Sequence, residues 1–177
     1  MTFTLQFQRR FSMAHRLLSG HSKKCAIPHG HNEFVRISLG CLNAPALNKK
    51  DNMVTDFASA KALWHTFIDD HLDHSFQLRS DDPLLPYFKE NEPEQLARIV
   101  ITPGDPTTEM LCACLMSKLD LLLQSTDSPL VCHRFELEET PTNTVVLSGI
   151  KVYQAHLPKG DHWWNRGDFS INDFKSR

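Results

Sequence analysis

The sequence predicts an α+β fold in the order β-β-α-α-β-β, with antiparallel hairpins packed against two helices. Three observations carry that prediction: two period-two runs near the N-terminus, two stripes spaced by three and four in the middle, and two further alternating runs beyond residue 130. In the first run Phe3, Leu5, Phe7, Phe11, Met13 and His15 occupy odd positions, with Arg9 as the exception, against polar Thr2, Thr4, Gln6, Gln8, Arg10 and Ser12. A strand there delivers His15 on its apolar face near its end.

Residues 16–28 read as a loop carrying Gly20, Lys23, Lys24, Cys25 and Pro28. The second alternating run puts His29, His31, Glu33, Val35, Ile37 and Leu39 on one face. A turn-rich connector over 40–52 (Gly40, Asn43, Pro45, Asn48, Asp51, Asn52) follows. From Thr55-Asp56 the period changes: Phe57, Ala60, Trp64, Phe67, Ile68 and Leu72 mark an amphipathic helix behind an Asp or Thr N-cap, ending near Leu72-Asp73-His74.

Residues 79–105, with Pro83, Pro86, Pro93, Pro103 and Gly104, read as an irregular excursion holding a short helix over 91–99. Asp105-Pro106-Thr107 predicts a second long helix with proline in its first position, buried through Leu111, Leu115, Leu119 and Leu122. Alternation returns over 130–139, where Val131, His133, Phe135, Leu137 and Glu139 share one face. Pro141-Thr142-Asn143 turn the chain into a strand through Val145, Val146 and Leu147, which is expected to continue past Gly149 over Ile150–Ala155. The tail from Leu157, with Trp163, Trp164 and Phe169, has no clear period.

The chain has 177 residues, 41% hydrophobic and 23% charged, with a formal net charge of −2. This is an ordinary globular balance, sized for one domain, and it excludes a disordered tail, a collagen-like repeat and a strongly basic nucleic-acid binder. No basic-then-apolar leader opens the sequence and no stretch approaches the ~18 apolar residues of a spanning helix, so a cytoplasmic protein with no membrane partner is expected. Five cysteines, at 25, 41, 112, 114 and 132, form no C-x-x-C knuckles, which argues against a disulfide scaffold or zinc ribbon. Ten histidines are the oddity, and they direct the search for a site.

His15, His29 and His31 form the strongest constellation. If the first two strands pair, three neutral imidazoles converge and leave a fourth position open, the pattern of a catalytic zinc. Two other readings stand beside it: half-buried histidines satisfied by hydrogen bonds, or an iron site made of the H-x-H pair and Glu33. Cys25, in a loop with Lys23 and Lys24, is a candidate base or nucleophile, although a lone cysteine also serves as inert packing. The other four cysteines read as core. Asp73-His74 could transfer a proton, or could be a favourable pairing at a helix end. Glu139 ends an apolar face and could accept two N–H donors from a planar heterocycle, or simply sit at an exposed strand end.

Taken together the pieces resemble the 6-pyruvoyl-tetrahydropterin synthase family, which includes the 6-carboxytetrahydropterin synthases of queuosine biosynthesis. The stretches that carry the resemblance are Phe11-Ser12-Met13-Ala14-His15-Arg16-Leu17, Cys25-Ala26-Ile27-Pro28-His29-Gly30-His31-Asn32, Met53-Val54-Thr55-Asp56-Phe57, Leu72-Asp73-His74, Pro106-Thr107-Thr108-Glu109 and Glu139-Thr140. They span residues 1–78 and 105–156 in family order. The resemblance implies a tunnelling-fold (T-fold) subunit whose barrel closes by self-association, as a homohexamer or another oligomer, with active sites between neighbours. It implies Zn2+ on His15, His29 and His31, Cys25 as general base, and Asp73 and His74 as a proton-transfer dyad. It also implies Glu139 as the pterin anchor with Thr107 and Thr108 nearby and Glu109 as a further contact.

The implied substrate is 7,8-dihydroneopterin triphosphate. Arg16, Lys23 and Lys24 are conjectured phosphate contacts. A zinc-dependent 6-carboxy-5,6,7,8-tetrahydropterin synthase is preferred. The alternatives are a 6-pyruvoyl-tetrahydropterin synthase that eliminates triphosphate and a non-catalytic pterin- or metal-binding paralogue. Cys25 in place of a glutamate sets the chain apart from the family's aldolase-like branch. One pterin-synthase-like domain over 1–177 is expected, with 79–104 an insertion and 157–177 a C-terminal extension.

Overall fold

Strand β1, Thr4–His15, and strand β2, His29–Cys41, pair antiparallel along their whole length in a computed structural model that describes residues 3–20, 22–42, 47, 49–126 and 128–174. Of the residues singled out above, Thr2, Asn43, Pro45 and Asn48 lie outside the described residues. Phe7, Phe11, Met13 and His15 are buried, Leu5 and Arg9 are half-buried and Phe3 is exposed, so the alternation read from the sequence holds from Phe7 to His15 with Arg9 as its exception. Glu33, Val35, Ile37 and Leu39 are buried on the matching face of β2.

Helix α1 is Phe57–Phe67, capped by the Asp56 carboxylate, which accepts from the Ser59 N–H at 2.8 Å. It runs on into a wider π-turn, Ile68–Leu72, and buries Ala60, Trp64, Phe67, Ile68 and Leu72. The next stretch departs from the expected excursion. It contains strand β3, Ser75–Arg79, helix α2, Leu84–Asn91, a 3-10 turn, Pro93–Arg98, and strand β4, Ile99–Thr102. Five and four residues are too few to show a period, and Pro83 and Pro86 sit at the entry of α2, where a missing N–H costs no helical bond.

Helix α3, Thr108–Gln124, starts two residues later than expected: Thr107 is the N-cap, accepting from the Met110 N–H, and Pro106 precedes it. The leucine stripe is buried, and so are Cys112, Cys114, Lys118 and Asp120: the Cys112 thiol meets the Phe135 carbonyl and Asp120 accepts from the Cys132 N–H, while the C-terminal tail covers Lys118. Lys118 Nζ donates to the carbonyls of Arg166 and Asp168 at 2.9 Å each, and Trp163 and Trp164 are buried beside it.

Strand β5, Leu130–Thr140, and strand β6, Asn143–Ser148, complete a six-stranded sheet in the order β4-β3-β1-β2-β5-β6. The sheet is mixed: β1, β2, β5 and β6 are antiparallel neighbours, whereas β3 runs parallel to both β1 and β4. A bulge corrects the expected face of β5. The ladder slips between the pairs Ser38–Arg134 and Leu39–Cys132, so His133 is the extra residue; Leu130 and Cys132 join Phe135 and Leu137 in the core. His133 instead meets the Thr4 hydroxyl at 3.3 Å. The strand expected over Ile150–Ala155 is a 3-10 turn, Val152–Ala155, since Gly149 (φ 125°) and Lys151 (φ 54°) turn left-handed before it.

The main core lies between the sheet and helices α1 and α3; a second cluster, Leu78, Leu85 and Ile99, lies under α2. No helix among the described residues is long and apolar enough to cross a membrane.

Candidate active site

Pairing of β1 with β2 places His15 directly opposite His29, and the period of two brings His31 to the same face. Among the described residues these three imidazoles are the group of His, Cys, Asp and Glu side chains close enough to share an ion, with one ligand atom from each lying within 4.8 Å of the others. His15 is buried, His29 and His31 half-buried. Glu33 is buried two residues further along β2 and is outside the group, so the geometry favours three imidazoles over two and a carboxylate.

The tautomers follow from the partners. His15 Nδ1 faces the carbonyl oxygen of Pro106 at 2.9 Å and His29 Nδ1 that of Ile27 at 2.9 Å. A carbonyl only accepts, so both Nδ1 atoms carry the proton and both Nε2 atoms carry lone pairs in the neutral rings. Those two Nε2 atoms are 3.1 Å apart. Facing lone pairs at that distance call for a positive charge between them, and nitrogens ~2.05 Å from a tetrahedral zinc stand ~3.3 Å apart. Burial lowers the pKa of His15, against the Pro106 bond and the Glu139 charge and together with the neighbouring His29 and His31, which keeps its ring neutral and ready to ligate.

Glu139 continues from the inward face of β5 towards the same centre. Its Oε1 accepts from the Thr108 hydroxyl at 2.9 Å and lies 3.9 Å from His15 Nε2. Glu139, Thr107, Thr108, Glu109 and Leu17 line a cleft of about 560 Å³, which brings the expected substrate residues together. Glu33 faces Glu139 from β2. Burial first, and then the charge of Glu139, push the Glu33 carboxyl up to about 8. Its Oε2 has no hydrogen-bond partner, and the sequence pattern marks it only as a possible metal ligand.

Cys25 is half-buried, and its carbonyl accepts from the Leu17 N–H at 2.8 Å, tying its loop to the end of β1. The remaining cysteines are buried core, as expected, and burial drives the Cys112 thiol up to about 12. Lys23 and Lys24 are exposed on the Cys25 loop. Arg16 is not available for phosphate: its guanidinium grips buried Asp82 through both Nε, at 2.9 Å, and Nη2.

Asp73 and His74 stand apart from the imidazoles. Asp73 Oδ1 accepts from the Ser12 N–H at 2.6 Å, and His74 Nδ1 donates to Asp73 Oδ2 at 2.8 Å. Burial opposes ionisation of Asp73, yet the Ser12 and His74 bonds and the charge of Arg10 hold its carboxyl below the usual range. His74 is 79% exposed with a left-handed φ of 61°, a costly conformation for a residue with a side chain. It borders a separate cleft of about 450 Å³ with Ser12, Phe76, Phe88 and Arg98, and none of the three imidazoles lines it.

The 6-pyruvoyl tetrahydropterin synthase family model matches residues 4–149. A "6-carboxy-5,6,7,8-tetrahydropterin synthase" of Rickettsia felis is 32% identical over 111 residues, 62% of this chain and 74% of that protein. A "probable 6-carboxy-5,6,7,8-tetrahydropterin synthase" of Halobacterium salinarum is 31% identical over 136 residues, 76% and 79% of the two chains. Among solved structures, an uncharacterized protein of Wolinella succinogenes superposes with a TM-score of 0.66 at 23% identity, over 82% of this chain and 97% of that one. The 6-pyruvoyl tetrahydropterin synthase of Caenorhabditis elegans does so with a TM-score of 0.55 at 23% identity, over 83% and 95%. These likenesses establish the T-fold class expected from the sequence.

Proposed function

Since the chain belongs to the 6-pyruvoyl tetrahydropterin synthase family and is a lyase of that family, we propose that it is a zinc-dependent 6-carboxy-5,6,7,8-tetrahydropterin synthase acting on 7,8-dihydroneopterin triphosphate in a queuosine-type pathway. The observation that carries the metal is the pair of facing Nε2 lone pairs on His15 and His29, with His31 beside them. Zn2+ on these three neutral ligands would keep its full charge and stabilise negative charge developing on the substrate's side-chain oxygens. The names of the Rickettsia and Halobacterium relatives favour the carboxy product over the pyruvoyl one.

In this reading Glu139, oriented by Thr108, accepts the N–H donors of the pterin ring, and Thr107 and Glu109 line the same cleft. Cys25 removes the side-chain proton as general base. Lys23 and Lys24, exposed on its loop, offer point charges to the triphosphate. Asp73 and His74 act as the proton-transfer dyad; because His74, bonded to Asp73, borders a cleft that none of its own chain's three clustered imidazoles lines, the pair serves the site of a neighbouring copy in a T-fold oligomer. One pterin-synthase-like domain spans 1–177, with 79–104 and 157–177 as additions to it, and the enzyme works in the cytoplasm.

Incubating purified, zinc-loaded protein with 7,8-dihydroneopterin triphosphate tests the reading. Acetaldehyde and a carboxypterin are expected. A 6-pyruvoyl product would replace the proposal by the triphosphate-eliminating reaction, and no turnover would leave a pterin- or metal-binding paralogue.

A further inference from the structure

The stretch 79–104 falls outside the motifs that carry the family resemblance, yet its side chains Arg79 and Asp82 reach back to the loop that follows the metal ligand His15. Arg16 is held by Asp82, whose side chain is fully buried and whose Oδ1 also accepts from the Leu84 N–H at 2.8 Å at the start of α2. Two residues on along the loop, the Asp105 carboxylate accepts from the Leu18 N–H at 3.1 Å and the Ser19 N–H at 2.7 Å. Arg79 spans the same place, donating through Nη1 to the Ser19 hydroxyl at 3.1 Å and to Asp105 Oδ1 at 3.2 Å.

The loop so held is a wall of the substrate cleft. Leu17 lines it beside Thr107, Thr108, Glu109 and Glu139, and Ser19 lines the adjoining cleft with Asp105, Thr107 and Glu109. Asp105 is also the residue before Pro106, whose carbonyl fixes His15, while Thr108 fixes Glu139. Thus the segment 105–108 grips in turn the loop, the first histidine, the start of α3 and the anchor carboxylate. A backbone loop whose N–H groups are taken by a charged acceptor is fixed in one conformation, and a fixed wall spares a ligand the ordering cost of closing it.

We infer that Asp82 and Asp105, with Arg16 and Arg79, form a two-point ion-pair latch by which the inserted segment and the residue that follows it position loop 16–20 as the substrate-binding wall of the pterin cleft. Asp82 and Asp105 are positioning residues: they act through the loop and touch no reacting atom. The inference rests on the functional reading above for the identity of the substrate, but not for the existence of the latch. It also explains why neither arginine is spent on phosphate.

The test compares the wild type with Asp105→Ala, with the double variant Arg16→Met/Asp82→Leu, and with Asp81→Ala as control. The double variant removes both charges together, so no unpaired ion is left buried and the chain folds. Asp81 pairs with Arg79 from the exposed side and holds no part of the loop. Expected are a rise in KM for 7,8-dihydroneopterin triphosphate of tenfold or more in both latch variants, kcat within threefold, unchanged zinc stoichiometry, and, in Asp105→Ala, which removes the acceptor of both N–H groups, amide exchange at Leu18 and Ser19 at least a hundredfold faster. Asp81→Ala should match the wild type in all four. An unchanged KM in the folded variants, or equal loss in kcat and zinc content, overturns the latch. If the wild type fails to turn over the triphosphate but binds neopterin, the functional reading falls, and the latch stands only if neopterin binding weakens tenfold or more in both variants.

Discussion

His15 donates through Nδ1 to the main-chain carbonyl oxygen of Pro106, 2.9 Å away, and so presents Nε2 to His29 and His31. The His15 ring is therefore aimed by backbone that belongs to the entry of α3, and no rotation of a second side chain can disturb it. Replacing His29 by alanine should lower bound zinc from about one per chain to less than about a tenth, since a divalent ion on two imidazoles lacks the donors it needs. Metal analysis after dialysis decides this. Binding should also weaken in acid, because each ligand must be neutral. Full zinc occupancy in the His29→Ala protein would exclude the three-histidine centre.

Cys25 lies on the loop joined to the end of β1 by the Leu17–Cys25 main-chain bond, and it is outside the imidazole group. Its replacement by alanine should thus leave zinc content unchanged while kcat falls by about a thousandfold, within the span that general acid–base and nucleophilic groups supply. Paired metal analysis and turnover measurements separate the two effects. Wild-type turnover in the alanine variant would remove Cys25 from the chemistry.

The parts of the fold legible in the sequence are those long enough to repeat. β1 and β2 show five or more alternations, and that period alone puts His15, His29 and His31 on one face. β3 and β4 leave no such trace, because Ser75–Arg79 and Ile99–Thr102 are too short to repeat a period of two convincingly and flank a proline-rich stretch. The bulge at His133 exchanges the faces of Val131 and Cys132, a change that depends on pairing with β2 and leaves no local mark. Within the site, the histidines, Glu139 and Thr108 can be named from their motifs, whereas Pro106 contributes through its backbone and Asp82 and Asp105 act across 66 and 86 or more residues of chain.

Glu33 supplies a pH signature for the metal-free protein. Its carboxyl is held up at about 8 in the folded chain by burial and by Glu139, whereas an unfolded glutamate ionises near 4.5. Across the interval between, the folded state keeps a proton that the unfolded state has released. Stability is therefore greatest on the acid side and falls as pH rises through about 8. Between about pH 6 and about pH 8 the loss from this group is at most ~2.7 kcal/mol. Glu33→Gln should remove that slope and leave the metal-stripped protein more stable than wild type at the upper pH. Urea unfolding of both proteins at the two pH values measures it, and identical slopes would mean that Glu33 ionises normally.

His74, bonded to Asp73, borders a cleft that none of its own chain's three clustered imidazoles lines, and it is mostly exposed in a strained left-handed conformation. An exposed, oriented dyad has chemical use if a second copy brings its zinc centre and Cys25 to it. Two inactive variants should then repair each other. Cys25→Ala supplies an intact dyad and His74→Ala supplies an intact cysteine, so mixed oligomers pair the sound halves at about a quarter of the interfaces. Unfolding and refolding the two proteins together should restore about a quarter of wild-type turnover, while each refolded alone stays inactive. The mixture also controls for misfolding, because a variant that could not assemble would rescue nothing in any ratio. Activity that stays at the level of the separate variants, in mixtures shown to contain both chains in one oligomer, would place the dyad and Cys25 in the same chain's site.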